Sequence, residues 1–451
     1  MSITLPTSTI ELHEPGSAEY ASAVELFNSM IEKHPRYVVR AKSNADVAAA
    51  IAYARDNDLP LAVRAGGHSV AGHSLVDDGL VIDIRDFSDV HVDYVKRTAR
   101  VGGGAIGAQL DRATQAYGLA TTGGRISSTG VGGLTLGGGS GWLDRKHGLA
   151  ADNLIGAELV NADGETIRAS KSENPDLLWA LRGGGGNFGV VTALELQLHP
   201  LGPEVYAGYV MYPTDQVAGA LRNYRDVMRD APEGLNVGIG LMTPPATEDY
   251  PEELHGKPSA FVTGMYAGPL DEGEEAMRAI SEYGDPVASE WGPMPYVDFQ
   301  CLFDDPPGYR NYWTAEHVHD MPDDAIDAMV ARSARIPASP SMLWIVTWGG
   351  AIARVSDDES PLSGRDSVFV IHPFFLWEDP AIDAYMMELG RGYRDDVRGL
   401  ATGDVYLNFV GDEGEERVRK GFGNHDRLAR VKAKYDPHNV FNANQNVRPQ
   451  S

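Results

Sequence analysis

The chain has 451 residues, and 38 Lys+Arg against 64 Asp+Glu give a net charge of −26. That length exceeds one ordinary core and predicts two units of roughly 150–250 residues each. A 43% hydrophobic composition excludes intrinsic disorder, and so negative a surface repels phosphate backbones and anionic lipid, which excludes nucleic acid as a partner.

Lysine is scarce, 9 against 29 arginines, and an acidic, lysine-poor surface fits a protein kept soluble in concentrated salt. The lone cysteine, Cys301, rules out an intrachain disulfide and a thiolate metal cluster, and reads as a small core residue. The start Met1-Ser2-Ile3-Thr4-Leu5-Pro6 has no basic segment followed by an apolar one. No apolar run reaches the about 18 residues of a membrane span. The expectation is a soluble, cytoplasmic protein without a membrane partner.

In chain order, Tyr37–Arg40 reads as a strand, followed by a helix capped by Ser43 or Asn44 with Val47, Ala50, Ile51 and Ala54 on one face. Leu61–Val63 is a second strand that runs directly into the turn Arg64-Ala65-Gly66-Gly67-His68-Ser69. Strands at Leu80–Ile84, Val90–Asp93 and Thr98–Val101 precede a helix over Ile106–Tyr117. Ile155–Asn161 and Glu165–Ala169 flank Ala162-Asp163-Gly164 as a hairpin, and Val190–Leu198 is another strand. A boundary is expected near Leu201-Gly202-Pro203. Beyond it, Thr214 caps a helix burying Val217, Leu221, Tyr224 and Met228, and strands are expected at Val237–Met242, Ala260–Tyr266, Met342–Trp348, Val368–His372 and Val405–Phe409. This pattern predicts an antiparallel sheet covered on one face by helices.

Glycine gives the sharpest internal contrast: many of the 51 glycines crowd into 66–79, 102–107, 123–148 and 183–189. Two stretches match G-x-G-x-x-G. The first, Gly102–Gly107, lacks the acidic residue expected about 20 positions on; the second, Gly184–Gly189, leads into a strand and not a helix. Both matches fail on context, which speaks against a nicotinamide dinucleotide site, and with no G-x-x-x-x-G-K-S/T in the chain a P-loop is excluded. Four glycine loops in one half of the chain suit an extended diphosphate cofactor lying flat against backbone.

Val63-Arg64-Ala65-Gly66-Gly67-His68-Ser69 resembles the flavin-attachment segment of FAD-linked oxidoreductases of the vanillyl-alcohol oxidase superfamily, in the berberine-bridge-enzyme-like, 6-hydroxynicotine-oxidase-like branch. Gly132–Gly139, His147–Asn153, Leu178–Thr192, Tyr435–Phe441 and Asn444-Gln445-Asn446 match its other signatures. The resemblance implies an α+β fold: a two-part PCMH-type FAD-binding domain at 1–203 and 400–451 around a substrate domain at 204–399 with an antiparallel sheet and helices. It also implies FAD bound covalently through His68, with His73 the competing anchor. Many relatives carry a second, cysteinyl bond; Ile126 stands at that position, so a single attachment is expected. Cofactor contacts carried over are Arg64, Ala65, Gly66, Gly67, Ser69, Gly124, Ser128, Thr129, Gly130, Gly132, Gly133, Gly139, Gly141, Val191, Asn408 and Asn444. Thr129 stands where oxidases often have valine, which permits dioxygen as the reoxidant.

The implied reaction is a two-electron oxidation of a small alcohol, amine, sugar or polyketide-type molecule. A same-fold dehydrogenase, a nicotinamide-dependent enzyme and a catalytically silent flavin-binding protein are the rival readings. Strand alternation over Val405–Phe409 puts Tyr406 and Asn408 on one face, with Tyr406 the candidate base or orienting donor and Asn408 holding the ring. Tyr312 and His317 are candidates for the substrate pocket, and His317 with His319 is too small a set for a metal site. Trp344, Trp348 and Trp377 could stack on a substrate ring. The acidic runs Asp357–Glu359 and Asp412–Glu416 read as solvated faces.

Overall fold

The computed structural model describes residues 2–4, 9–302, 304 and 308–450. Three strands form a parallel sheet, with Leu80–Asp83 between Tyr37–Arg40 and Leu61–Arg64. The helix Asn44–Asp56 crosses between them; Ser43 caps it reciprocally with Asp46, and Val47, Ala50, Ile51 and Ala54 are buried. A second, antiparallel sheet runs Thr166–Ser170, Leu154–Val160, Val190–Gln197, Thr98–Gly102, Val90–Asp93. The expected hairpin at 161–165 closes it, with Asn161 Oδ1 accepting the Asp163 and Glu165 amides.

The third sheet has eight antiparallel strands within 204–377, running Ala288–Pro295, Glu204–Tyr212, Ser259–Tyr266, Leu235–Met242, Met342–Thr347, Phe369–Trp377, Arg310–Trp313, with Glu316–Val318 also on Phe369–Trp377. Its two faces follow the two-residue period of the strands. Ile239, Val262, Ile345, Ile371 and Phe375 pack under the helices Val217–Arg229, Asp323–Ser333 and Asp383–Asp396 in one apolar core. The opposite face carries Tyr209, Phe261, Trp344, His372 and Phe374 and looks across at the glycine loops. Gly238 and Gly240 make room on that face, since a Cβ there would stand 2.2 Å from the Trp344 ring and 2.7 Å from the Met342 sulfur.

The C-terminal residues Val405, Leu407, Leu428, Val431 and Val447 share a core with Val101, Leu159 and Leu194 of the antiparallel five-stranded sheet. Chain end and first half are thus packed as one body.

Three local expectations are corrected. Thr214 does not cap its helix: a 3-10 turn at Thr214–Gln216 comes first, and the threonine hydroxyl donates to Pro258 O at 2.6 Å. Val405–Phe409 is not a strand but ends in the short 3-10 turn Leu407–Phe409. Cys301 is exposed, not a core residue. The acidic run Asp357–Glu359 is solvated as expected, whereas in the second run Glu413 turns inward to Arg417 at 3.0 Å.

One buried carboxyl sits on the seam between the two halves. Asp111, in the helix Gly107–Gln115, accepts Gln300 Nε2 at 3.0 Å from the helix Tyr296–Cys301, while the buried Gln300 Oε1 has no partner among the described residues. Burial raises the Asp111 carboxyl to about 7, with the Gln300 bond pulling it partly back. The folded protein then holds a proton that the unfolded chain has released between about pH 4 and 7. Stability drawn from Asp111 is present in full below the unfolded value and is lost as pH rises to 7, by about 1.4 kcal/mol per unit. Asp111→Asn should remove this slope. Urea midpoints of the two proteins, compared at each pH from 4 to 8, should diverge across that window; a constant difference would refute the linkage.

Candidate active site

The parallel strand Leu61–Arg64 ends where open sheets commonly bind ligands, at its carboxyl edge. There Gly66 lies so close to Gly130 that a Cβ on it would stand 2.4 Å from the Gly130 amide nitrogen. This contact brings the 65–69 turn against the loop 124–133. Arg64 serves the turn from behind: its buried guanidinium donates to Ala23 O, Ala65 O and Glu25 O at 2.9–3.1 Å.

The result is one wall of a cavity of about 840 Å³, whose other wall is the open face of the eight-stranded sheet. His68 stands on the glycine wall. Its ring stacks on Phe27 at 4.4 Å, with Ser128 Oγ 3.0 Å from Nε2 and Thr129 Oγ1 3.5 Å from Nδ1. Burial, reinforced by the Arg64 charge, lowers its pKa to about 4, so the imidazole is neutral at physiological pH. His73 also lines the cavity and is likewise lowered to about 4 by burial, with Lys33 adding to it.

The sequence-derived contacts sort clearly. Ala65, Gly66, Gly67, His68, Ser69, Gly124, Thr129, Gly130, Gly132, Gly133, Val191, Asn408 and Asn444 line the cavity. Ser128 reaches it through His68. Arg64, Gly139 and Gly141 do not line it; they support the loops from outside, Gly139 by donating its amide to Tyr406 Oη at 2.6 Å and Gly141 by donating to Asp144 at 3.0 Å.

Tyr406 and Asn408 do meet, although no strand aligns them: Asn408 Nδ2 lies 3.3 Å from Tyr406 Oη and 3.1 Å from Leu134 O. The Tyr406 oxygen also receives the Ser140 amide at 2.8 Å, so three N–H donors converge on it. Burial raises this phenol to about 12, despite those donors.

Tyr312 is corrected out of the site. Alternation turns it to the helix side of the sheet, where Gly390 leaves room for its ring, and its neighbour Trp313 faces the cavity instead. His317 is buried beside Trp348, whereas His319 is exposed. Among the described residues no group of three or more His, Cys, Asp or Glu is placed to hold a metal. Of the tryptophans, Trp344 lines the cavity, Trp348 is core, and Trp377 donates to Asp383 at 2.8 Å.

Sequence reasoning missed Arg125, Asp304, Trp313 and His372, all cavity residues. Arg125 is buried against the Trp142 ring at 4.9 Å and donates to Ser140 Oγ and Gly141 O. Asp304 accepts from both Ser127 N and Ser127 Oγ at 2.6 and 2.5 Å, closing the loop beside Ser128. The readable signal for His372 was its even-numbered place in a strand whose odd positions are apolar.

The residues fit a long dinucleotide. The cavity volume is at the upper end for cofactor sites, Gly133 and Gly186 offer faces where a Cβ would meet nothing within 4 Å, and the buried Asn444 Oδ1 lacks a donor among the described residues. Comparisons agree. Residues 35–170 match the FAD binding domain family and residues 405–448 the berberine and berberine like family. An FAD-linked oxidoreductase of Dictyostelium discoideum is 31% identical over 96% of this chain and 93% of its own length. The (R)-6-hydroxynicotine oxidase of Paenarthrobacter nicotinovorans is 30% identical, over 98% of this chain and 97% of that one. The crystal structure of 6-hydroxy-D-nicotine oxidase from Arthrobacter nicotinovorans matches with a TM-score of 0.89 at 28% identity, over 99% of this chain and 100% of that one. Glucooligosaccharide oxidase from Acremonium strictum, which carries a 6-S-cysteinyl, 8α-N1-histidyl FAD, shares the fold at a TM-score of 0.85 and 24% identity, each chain covered to 98%.

Proposed function

Because this chain belongs to the FAD-linked oxidoreductases with a berberine-like C-terminal segment, we propose that it is an oxidase whose FAD is held covalently by His68 alone. The observation that carries this reading is a neutral imidazole presented to the cavity at the end of a parallel strand, framed by Ser128, Thr129 and Phe27. A neutral imidazole nitrogen is a competent nucleophile, which is what a residue that would tether the flavin needs. Ile126 in place of a thiol leaves no second anchor.

FAD, when bound, supplies a two-electron acceptor for hydride. The protein's part is placement and exclusion of water. The 65–69 turn and the first turn of the helix Val131–Leu136 would hold the cofactor from one side, and Val191, Asn408 and Asn444 would complete its seat. Tyr406 keeps its proton, and its oxygen is engaged by three N–H groups, so its part is to fix the 137–140 turn and Asn408 and not to act as a base. Residues 1–203 and 400–451 form the cofactor-binding part, and 204–399 supplies the substrate wall. Tyr209, Met211, Phe261, Trp344 and Phe374 make that wall apolar and aromatic, which suits a small ring-bearing alcohol or amine. Dioxygen is the reoxidant, with Thr129 small enough to leave its path open.

Air-free mixing of the yellow protein with (R)-6-hydroxynicotine, aryl alcohols, cyclic amines and sugars should bleach the flavin with one of them. Readmitted oxygen should then restore the colour with formation of hydrogen peroxide. Reoxidation only by an artificial acceptor would make the protein a dehydrogenase; no bleaching by any compound would make it a silent binder.

A further inference from the structure

On the sheet wall of the cavity stands an imidazole that neither the cofactor seat nor its supports employ. His372 projects from the middle of the strand Phe369–Trp377 on the face opposite the helices, stacked flat on Phe409 at 4.2 Å and edge-on to Trp313 at 5.5 Å and Phe374 at 5.8 Å. Its Nδ1 lies 2.9 Å from Thr314 O. A carbonyl oxygen only accepts, so Nδ1 must carry the hydrogen, and the tautomer is thereby fixed. Nε2 is left with a lone pair and no partner among the described residues, on a ring that lines the cavity. We propose that His372 Nε2 is the acceptor that receives the hydroxyl or N–H of the substrate, and so selects substrates that carry such a donor beside an aromatic or apolar body.

Three features support this assignment. The ring is clamped by Phe409, Trp313 and Phe374, so the acceptor is pre-positioned at little entropic cost. Burial, with Thr314 O acting against it and the Arg125 charge adding to it, lowers His372 to about 3, so Nε2 stays unprotonated throughout the working range. Among the described residues the charge that acts on it is that of Arg125; Thr314, Trp313, Phe374 and Phe409 beside it do not ionise there. A site built to accept a hydrogen bond discriminates strongly against an isostere without the donor, because its own acceptor is then left dry and unpaired.

The assignment rests on the flavoenzyme reading, but it fails separately: a colourless protein would sink that reading, whereas the tests below use flavin-loaded protein. Phenol and toluene are nearly isosteric and differ in the donor. Their dissociation constants can be read from the perturbation of the flavin absorbance. The ratio of the toluene to the phenol constant should fall about tenfold from wild type to His372→Phe, roughly one hydrogen bond. His372→Gln, which keeps an acceptor oxygen, should retain part of that preference. Nitrogen-15 spectra of histidine-labelled wild type should show the His372 ring as the neutral Nδ1–H form. An unchanged ratio in the phenylalanine variant, no binding of either compound to wild type, or a His372 ring protonated at Nε2 would each overturn the proposal. Should His372→Phe fail to fold, the wild-type spectrum and the glutamine variant decide it.

Discussion

His68→Ala should release the flavin: acid precipitation of the variant should leave a white pellet and free FAD in the supernatant, while wild-type pellet stays yellow. The physical basis is the state of the ring. Burial holds His68 near 4, so it enters the reaction as a free base and not as an imidazolium, and stacking on Phe27 with Ser128 at 3.0 Å fixes its plane. No cysteine stands near enough to replace it, since Cys301 is exposed and outside the cavity lining. The effect should be all or nothing, because one bond is either made or absent. His73 lines the same cavity and is equally neutral, so a variant pellet that stays yellow would move the attachment there and refute the His68 assignment. His73→Ala should leave the pellet coloured.

The largest stability loss is expected at Asp436→Ala. Lys432 and Asp436, one helical turn apart, are both fully buried and meet at 2.7 Å. The ammonium also donates to Asn187 O and Phe441 O, and the carboxylate also accepts the Val440 and Phe441 amides at 2.8 and 2.9 Å. Each charge has its hydrogen bonds filled, which is the condition for a buried pair to be tolerated. Removing the carboxylate strands an ammonium in the core together with two backbone donors, a loss of about 3–5 kcal/mol. Because this knot ties the glycine segment 184–189 to the C-terminal segment that carries Asn444 and Gln445 into the cavity, the fraction of chains that incorporate FAD should fall with stability. A drop under 1 kcal/mol in the unfolding free energy would show that the network is not needed.

The Tyr435-Asp436-Pro437-His438-Asn439 run was legible as a signature, yet nothing in it announced that Lys432 would reach across to Asn187. A comparable limit shows at Tyr312 and Trp313. Both are aromatic, both lie on one strand, and sequence pattern alone does not say which face of that edge strand looks into the cavity; pairing with Phe369–Trp377 turns Trp313 toward it. Tyr406 and Asn408 were rightly grouped but for the wrong reason. A 3-10 turn, not strand alternation, brings them together, and the convergence of the Gly139 and Ser140 amides on the phenol oxygen changes what the tyrosine can do.

Local order was written in the chain itself: the strand before the 65–69 turn, the Ser43 cap, the hairpin at 161–165 and the apolar faces of the helices all follow from short-range periodicity and turn chemistry. Glycine clusters likewise marked where backbone segments approach one another closely, as Gly66 does Gly130 and Gly103 does Val191. What only the folded molecule decided was which side chains distant in sequence come to one cavity, as His68 and His372 do. That choice depends on sheet register and on how two sheets are set against each other, and these are fixed by summed packing over the whole core, a quantity no local stretch of residues contains.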